Sequence, residues 1–197
     1  MTSPTLPVET ERLQLRQFDP GDLEQMMAYY PLPDVQRYVD GKGRDRNEVR
    51  EALETMCGQV ALNRPGDTLA LAVERRSDRR LVGQVSVRWH DATAAQAELR
   101  LALNPAHRRR GYGTEAVRAV LDICFDDFRF HRIFARCEAR SIASARLLSG
   151  LGMRLEAHYR EHALFQGEWD EELHFAILDR EWRHGHHIHD FGVHRVA

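Results

Sequence analysis

The run Arg108-Arg109-Arg110-Gly111-Tyr112-Gly113-Thr114 is where the sequence gathers residues able to do chemistry. Two glycines one residue apart let the backbone turn tightly and come close to a ligand. A helical pattern follows at once, and the first amides of a helix lack internal partners and carry the positive end of its dipole. Three arginines beside those amides add forked donors suited to phosphate. The segment reads as an anion cradle with a pyrophosphate as its natural guest. The same residues could instead be a helix start with a solvated arginine run, or an arginine patch for RNA. A dinucleotide-binding turn is excluded because Ala116 stands where a third glycine is needed, and a P-loop because no Gly-Lys-Ser/Thr follows.

The elements around this turn must hold it in place. Arg12–Phe18 alternates and predicts a strand, and Asp19-Pro20-Gly21-Asp22 opens a short helix with Leu23, Met26 and Met27. Residues 31–44 read as a loop beside a site. Asp45-x-x-Glu48 resembles a capping box ahead of Val49, Leu53, Met56 and Val60 at helical spacing. The period then shortens to two. Leu69, Leu71 and Val73 form one strand face and Val85, Val87 and Trp89 the next. In a third strand, Leu99, Leu101 and Leu103 lie opposite Glu98, Arg100 and Ala102. A helix over 114–128 buries Val117, Val120, Leu121, Cys124 and Phe128. A strand over 131–139, a helix over 142–151 ended by Gly152, and strands over 153–164 and 171–178 complete the chain. The order β-α-α-β-β-β-α-β-α-β-β predicts an α/β domain, a mixed sheet with helices packed on it.

Composition narrows the functions. The chain has 197 residues with 28 Lys+Arg against 30 Asp+Glu, a net charge of −2, which suits one domain and argues against a general nucleic-acid coat. Lys42 is the lone lysine, so a lysine base is essentially unavailable. No segment approaches the roughly 18 unbroken apolar residues of a membrane helix, and Met1–Thr5 does not read as a secretion signal. Cys57, Cys124 and Cys137 lack metal-ligand spacing and read as buried thiols of a reducing compartment, the cytoplasm by default. The histidines of 184–197 could chelate a metal, but with no supporting cysteine they read as a solvated tail after a domain spanning 1–183.

Arg108-x-x-Gly111-x-Gly113, after a strand and opening a helix, resembles the Gln/Arg-x-x-Gly-x-Gly/Ala motif of the GCN5-related N-acetyltransferases (GNAT). The similarity runs from about Glu11 to Trp182. Thr10-Glu11-Arg12-Leu13-x-Leu15-Arg16, Ser144 before Leu151-Gly152-Met153, Gly167-Glu168-Trp169 and Leu178–Trp182 resemble the RimJ/RimL-like branch, which acetylates ribosomal-protein N-termini. The resemblance implies a mostly antiparallel sheet of about seven strands with one splayed pair. It also implies acetyl-CoA as acyl donor, no metal, an amine acceptor that is a small molecule or a protein N-terminus, and often a homodimer. No membrane or nucleic-acid partner is implied. Arg108, Arg109, Arg110, Gly111, Tyr112, Gly113 and Thr114 would hold the CoA pyrophosphate, and Leu101, Ala102 and Leu103 the pantetheine arm.

For chemistry, Glu98 is the candidate base: a carboxylate among apolar neighbours has its pKa raised and can take a proton through water. Pairing with Arg100 on an exposed strand face is the competing reading. Ser144 is the candidate acid, because Leu148 stands where many members have a tyrosine; a helix serine can also bond within its own helix. Ser141 replaces a common CoA-contacting asparagine and could cap the helix. Tyr159, His158, His162, Trp169, Tyr29, Tyr30 and Tyr38 are candidate acceptor-site residues. A non-catalytic acyl-CoA-binding module and a transferase of another acyl group, such as succinyl, are the alternatives.

Overall fold

Alternating apolar and polar residues, with one continuous apolar run at Leu69–Val73, build a sheet of eight strands, seen in a computed structural model that describes residues 4–36, 39, 45–165 and 167–190. The strands are β1 (Val8–Glu9), β2 (Leu13–Arg16), β3 (Thr68–Arg75), β4 (Arg80–Asp91), β5 (Gln96–Leu103), β6 (Arg132–Glu138), β7 (Arg154–Phe165) and β8 (Glu168–Leu178). They lie in the order β1-β2-β3-β4-β5-β6-β8-β7. The strand beyond the expected seven is the two-residue β1, too short to show a period. The β7–β8 hairpin is longer than the sequence pattern, turning at Gly167 with φ 86°.

Every neighbouring pair is antiparallel except β5 and β6, which run parallel. Their register covers Gln96–Leu99 against Arg132–Ala135 and ends there. Beyond it β5 stays paired with β4, and β6 with β8, so the two strands part and leave a wedge between 100–103 and 136–138.

Two apolar layers sandwich the sheet. On one face Leu69, Leu71, Val85, Val87 and Leu99 pack against α4 (Tyr112–Asp122), α5 (Ile142–Gly150) and α6 (Asp179–Asp190) through Val117, Val120, Leu148 and Trp182. After Asp122 the expected helix widens into an i→i+5 turn over Ile123–Asp127, which carries Cys124 and Phe125 into the same core. On the other face α1 (Leu23–Met27), α2 (Pro33–Gln36), α3 (Arg46–Gly58) and the turn between α1 and α2 cover β3–β5 through Met26, Tyr29, Tyr30, Val35, Val49 and Leu53. The short α2 falls inside the stretch read as loop, where its four residues are too few to show a period.

The capping signals divide between two sites. Asp19 and Asp22 form a reciprocal capping box. Asp45 accepts from the amides of Asn47 and Glu48 at 2.8 and 3.0 Å. Asp45→Ala should cost about 1 kcal/mol by exposing those donors, read in urea as a lower midpoint with an unchanged slope. An unmoved midpoint would show that α3 is held by its packing alone.

Among the described residues no helix is long and apolar enough to cross a membrane. The three cysteines are free thiols. Burial pushes the Cys137 thiol up to about 11, as it also raises Cys124, and neither is an activated nucleophile. Helix α6 continues through His184 to Asp190, so the first part of the histidine-rich stretch is helical; residues 191–197, with His194, lie outside the described residues.

Candidate active site

The parallel pair brings the carboxyl ends of β5 and β6 to one edge of the sheet, and each strand leads into a helix whose N-terminus faces that edge. In open α/β sheets ligands collect at such a place. Here it holds a cavity of about 890 Å³. Leu101, Ala102 and Leu103 line it from β5, and Arg108, Arg109, Gly111, Tyr112, Gly113 and Thr114 from the turn into α4. Ser141 and Ser144 line it from α5.

Geometry favours glycine at Gly111 and leaves little space at Gly113. Gly111 sits at φ 81°, where L side chains are strained, and a Cβ there would lie 3.1 Å from the Arg12 guanidinium. A Cβ on Gly113 would come within 2.8 Å of Leu147 and 3.0 Å of Leu103, on the cavity wall. The first α4 amides are left without helical partners, since the first backbone bond of the helix is Glu115 N–H to Gly111 C=O at 3.1 Å. Arg110 does not line the cavity; its carbonyl accepts from Arg12 Nη1 at 2.9 Å.

That last bond belongs to a lock absent from the sequence expectations. Glu115, in the first turn of α4, accepts from Thr10 Oγ1 at 2.6 Å, the Arg12 amide at 2.8 Å and Arg12 Nε at 2.7 Å. Arg12 also lies over the Tyr112 ring, 5.0 Å from its centroid. Burial pushes the Glu115 carboxyl up, yet Thr10 and Arg12 outweigh it and hold it below the usual range. The start of β2 is thereby pinned to the glycine turn.

Other lining residues also escaped notice: His107 in the short turn Pro105–His107, Glu138 and Arg140 at the end of β6, and Arg146 on α5. Their signal was topological: once β6 is parallel to β5, its end must meet the same ligand. His107 Nδ1 is buried without a hydrogen-bond partner. Burial, with Arg75 and Arg110 nearby, lowers its pKa, so the ring is neutral near pH 7. An orphaned ring nitrogen, unpartnered helix amides and arginines on one wall suit a phosphorylated ligand.

Glu98 departs from the expectation. It is buried, but its neighbours are not apolar: Arg100 Nη2 donates to Oε2 at 3.0 Å and Arg136 Nε to Oε1 at 2.7 Å. Burial pushes its pKa up, and the two guanidiniums outweigh it, holding the carboxyl below its ordinary range rather than raised. Glu98 does not line the cavity. It stands at the vertex of the wedge, in the last paired stretch, and ties together the first residue of each parting arm on its face.

Ser141 does not cap α5; its hydroxyl shares a 2.8 Å hydrogen bond with Ser144. Leu148 is packed in the core. Tyr29 and Tyr30 are buried core residues, with the Tyr29 hydroxyl 3.1 Å from Gln84 Oε1, and neither reaches the cavity. Tyr159 and Trp169 are exposed on the β7–β8 hairpin, where His158 meets Glu171 at 2.7 Å and His162 meets the Asp170 carbonyl at 3.3 Å. Tyr38 lies outside the described residues.

Comparison with known proteins agrees with this geometry. Residues 12–154 match the family described as Acetyltransferase (GNAT) domain. The chain belongs to the GNAT acetyltransferase family. A similar curated protein is the uncharacterized N-acetyltransferase YnaD of Bacillus subtilis, 28% identical over 175 residues, which cover 89% of this chain and 98% of that one. A GNAT-family acetyltransferase structure from Bacillus anthracis superposes with a TM-score of 0.75 at 25% identity, over 89% of this chain and 100% of that one. A putative ribosomal-protein-serine acetyltransferase from Vibrio cholerae shares the fold, with a TM-score of 0.74 at 22% identity, over 89% of this chain and 99% of that one. The protein is an N-acetyltransferase of the GNAT family, and members of this family use acetyl-CoA as donor.

Proposed function

We propose that the chain transfers the acetyl group of acetyl-CoA to a primary amine by direct attack. The observation that carries this is the single cavity wall shared by the glycine turn and the parted ends of β5 and β6. The turn receives the pyrophosphate on the α4 amides with Arg108 and Arg109 beside them. The unpaired edges of 101–103 take the pantetheine arm, which directs the thioester into the wedge. The amine nitrogen bonds to the carbonyl carbon, the C–S bond breaks, and the thiolate takes up a proton. In this reading Ser144, which is hydrogen-bonded to Ser141 and lines the cavity, gives that proton.

The ammonium proton must leave before attack. Glu98 is held ionised but occupied by two arginines, so as a base it would act through water and at the expense of its own ion pairs. Among the described residues Glu138 is the carboxylate that lines the cavity, and in our reading it shares this task.

The acceptor is less constrained. Two neighbours in fold, the putative ribosomal-protein-serine acetyltransferase and a spermidine N-acetyltransferase from Vibrio cholerae at 19% identity, are named for different acceptors. Thr10 and Arg12, part of the RimJ/RimL-like signature, support the donor turn, so they favour CoA binding without choosing an acceptor. The test is thiol release from acetyl-CoA against a mixed panel of amines and N-terminal peptides, with calorimetry of CoA binding beside it. Release that depends on an amine supports the reading. Tight CoA binding with no release across the panel would replace it with an acyl-CoA-binding module.

A further inference from the structure

The cavity is lined from both faces of the sheet. Side chains alternate along β5, so Leu101 and Leu103 point to the layer of α4 and α5, and Ala102 to the layer of α1–α3. All three line the cavity. On the first side, a Cβ on Gly113 of α4 would lie 3.2 Å from Leu101, 3.0 Å from Leu103 and 2.8 Å from Leu147 of α5. On the second, Ala102 belongs to the buried cluster of Met26, Tyr29, Tyr30 and Val35, and Val35 is itself a lining residue. One cavity reaches both layers where the sheet is open, and the parted ends of β5 and β6 are that opening.

Among the described residues, Val35 is the one lining residue contributed by a helix of the α1–α3 layer, on the side of the sheet opposite α4. Its place is fixed. Val35 is 1% exposed, and its amide donates to the Leu32 carbonyl at 2.8 Å. Gln36 Nε2 donates to the Tyr30 carbonyl at 2.6 Å and closes the turn that carries it. A side chain held in a close-packed cluster does not yield to a ligand as a surface side chain does. Val35 therefore offers a branched, apolar wall of fixed position at the far mouth of the wedge.

A donor with its phosphates at the start of α4 and its pantetheine arm along 101–103 enters the opening with its acyl group foremost, towards Ala102 and Val35. We propose that Val35 sets the length of the acyl group, admitting acetyl and excluding four-carbon groups such as butyryl and succinyl. This rests on the transferase reading above, which puts the thioester in the wedge, and adds the residue that selects the acyl group. Selection here is by volume: each added methylene has to displace part of the buried cluster. One methylene more than an apolar pocket can hold counts for about tenfold or more.

Calorimetry with CoA, acetyl-CoA, propionyl-CoA and butyryl-CoA tests this without an acceptor. In the wild type butyryl-CoA should bind at least about tenfold more weakly than acetyl-CoA. Val35→Ala should narrow that gap about tenfold by opening the wall. Val35→Ile, one methylene larger, should weaken acetyl-CoA about tenfold relative to CoA, and it serves if Val35→Ala does not fold. Unacylated CoA ends at its thiol, so it should bind both variants as it binds the wild type and reports that they are folded. A general loss of packing would weaken all four ligands together and leave their ratios alone. Equal affinity for acetyl-CoA and butyryl-CoA in the wild type, or ratios unmoved in a folded variant, would overturn the proposal. Thiol release across the amine panel is read separately. Ratios that shift as stated without release would keep the role of Val35 and overturn transfer, and release with unmoved ratios would do the reverse.

Discussion

Glu98→Gln should slow acetyl transfer about tenfold and destabilise the fold by about 2 kcal/mol, with the two losses following different pH courses. The carboxylate is buried and holds Arg100 and Arg136 with one oxygen each. Glutamine keeps the shape but has one acceptor oxygen and no charge, so one guanidinium loses its partner in a partly buried place. Breaking a buried pair costs about 3–5 kcal/mol, and exposure of the Arg136 side chain brings the expected cost down. Because the folded-state pKa of Glu98 is depressed, its stabilisation is fully present above its unfolded value of about 4.3 and is lost as pH falls through the folded value. Wild type and variant should therefore differ most in Tm above that pH and converge in acid.

The rate effect has another origin. Glu98 ties the parting strands together where the thioester enters, and a misplacement of about 1 Å can cost up to about 100-fold. A group acting as base with a raised pKa would give an acid limb in kcat/KM between pH 6 and 7, and that limb would vanish in the variant. The depressed pKa predicts that any limb in this range survives Glu98→Gln. Loss of the limb would restore Glu98 as the titrating base; an unchanged rate and Tm together would remove both roles.

How much of this was legible beforehand follows from the range of the interactions. The glycine turn was readable because its motif is local, and Gly111 needs a left-handed backbone that few residues besides glycine adopt; the crowding of Gly113 by Leu147, 34 positions on, was not. The apolar periods of β3, β4, β5 and α4 were readable for the same reason, since burial of one face repeats along the chain. What a residue two or three strands away contributes leaves no such trace. Glu98 alternates with leucines and reads as a carboxylate in apolar company, yet its true neighbours come from its own strand and from Arg136, 38 positions on. Glu138, Arg140 and Arg146 reach the cavity because β6 is parallel to β5, a fact of topology.

Glu115→Ala should weaken CoA binding by at least about tenfold, close to 1.4 kcal/mol, although Glu115 was not expected to touch the ligand and is not among the cavity-lining residues. Three donors converge on its carboxylate, from Thr10, the Arg12 amide and Arg12 Nε, and Arg12 in turn holds the Arg110 carbonyl. Alanine releases all of them, and Arg12 then has no ionic anchor beneath the turn it supports. The turn contains two left-handed residues, Arg109 at φ 61° and Gly111 at φ 81°. Such a backbone persists only where its surroundings hold it. Freed, the amides at the start of α4 no longer point together, and each bound phosphate must first pay for their ordering. Glu115→Gln separates charge from shape: it can still accept from Thr10 and the Arg12 amide but loses the ion pair with Arg12. It should therefore keep part of the affinity. Calorimetry with CoA at fixed ionic strength reads the effect, and Arg12→Met should reproduce the loss seen in Glu115→Ala, with the double variant scarcely weaker than either single one. Additive losses would mean that the two residues act separately, and wild-type affinity in Glu115→Ala would mean that the turn holds its shape without them.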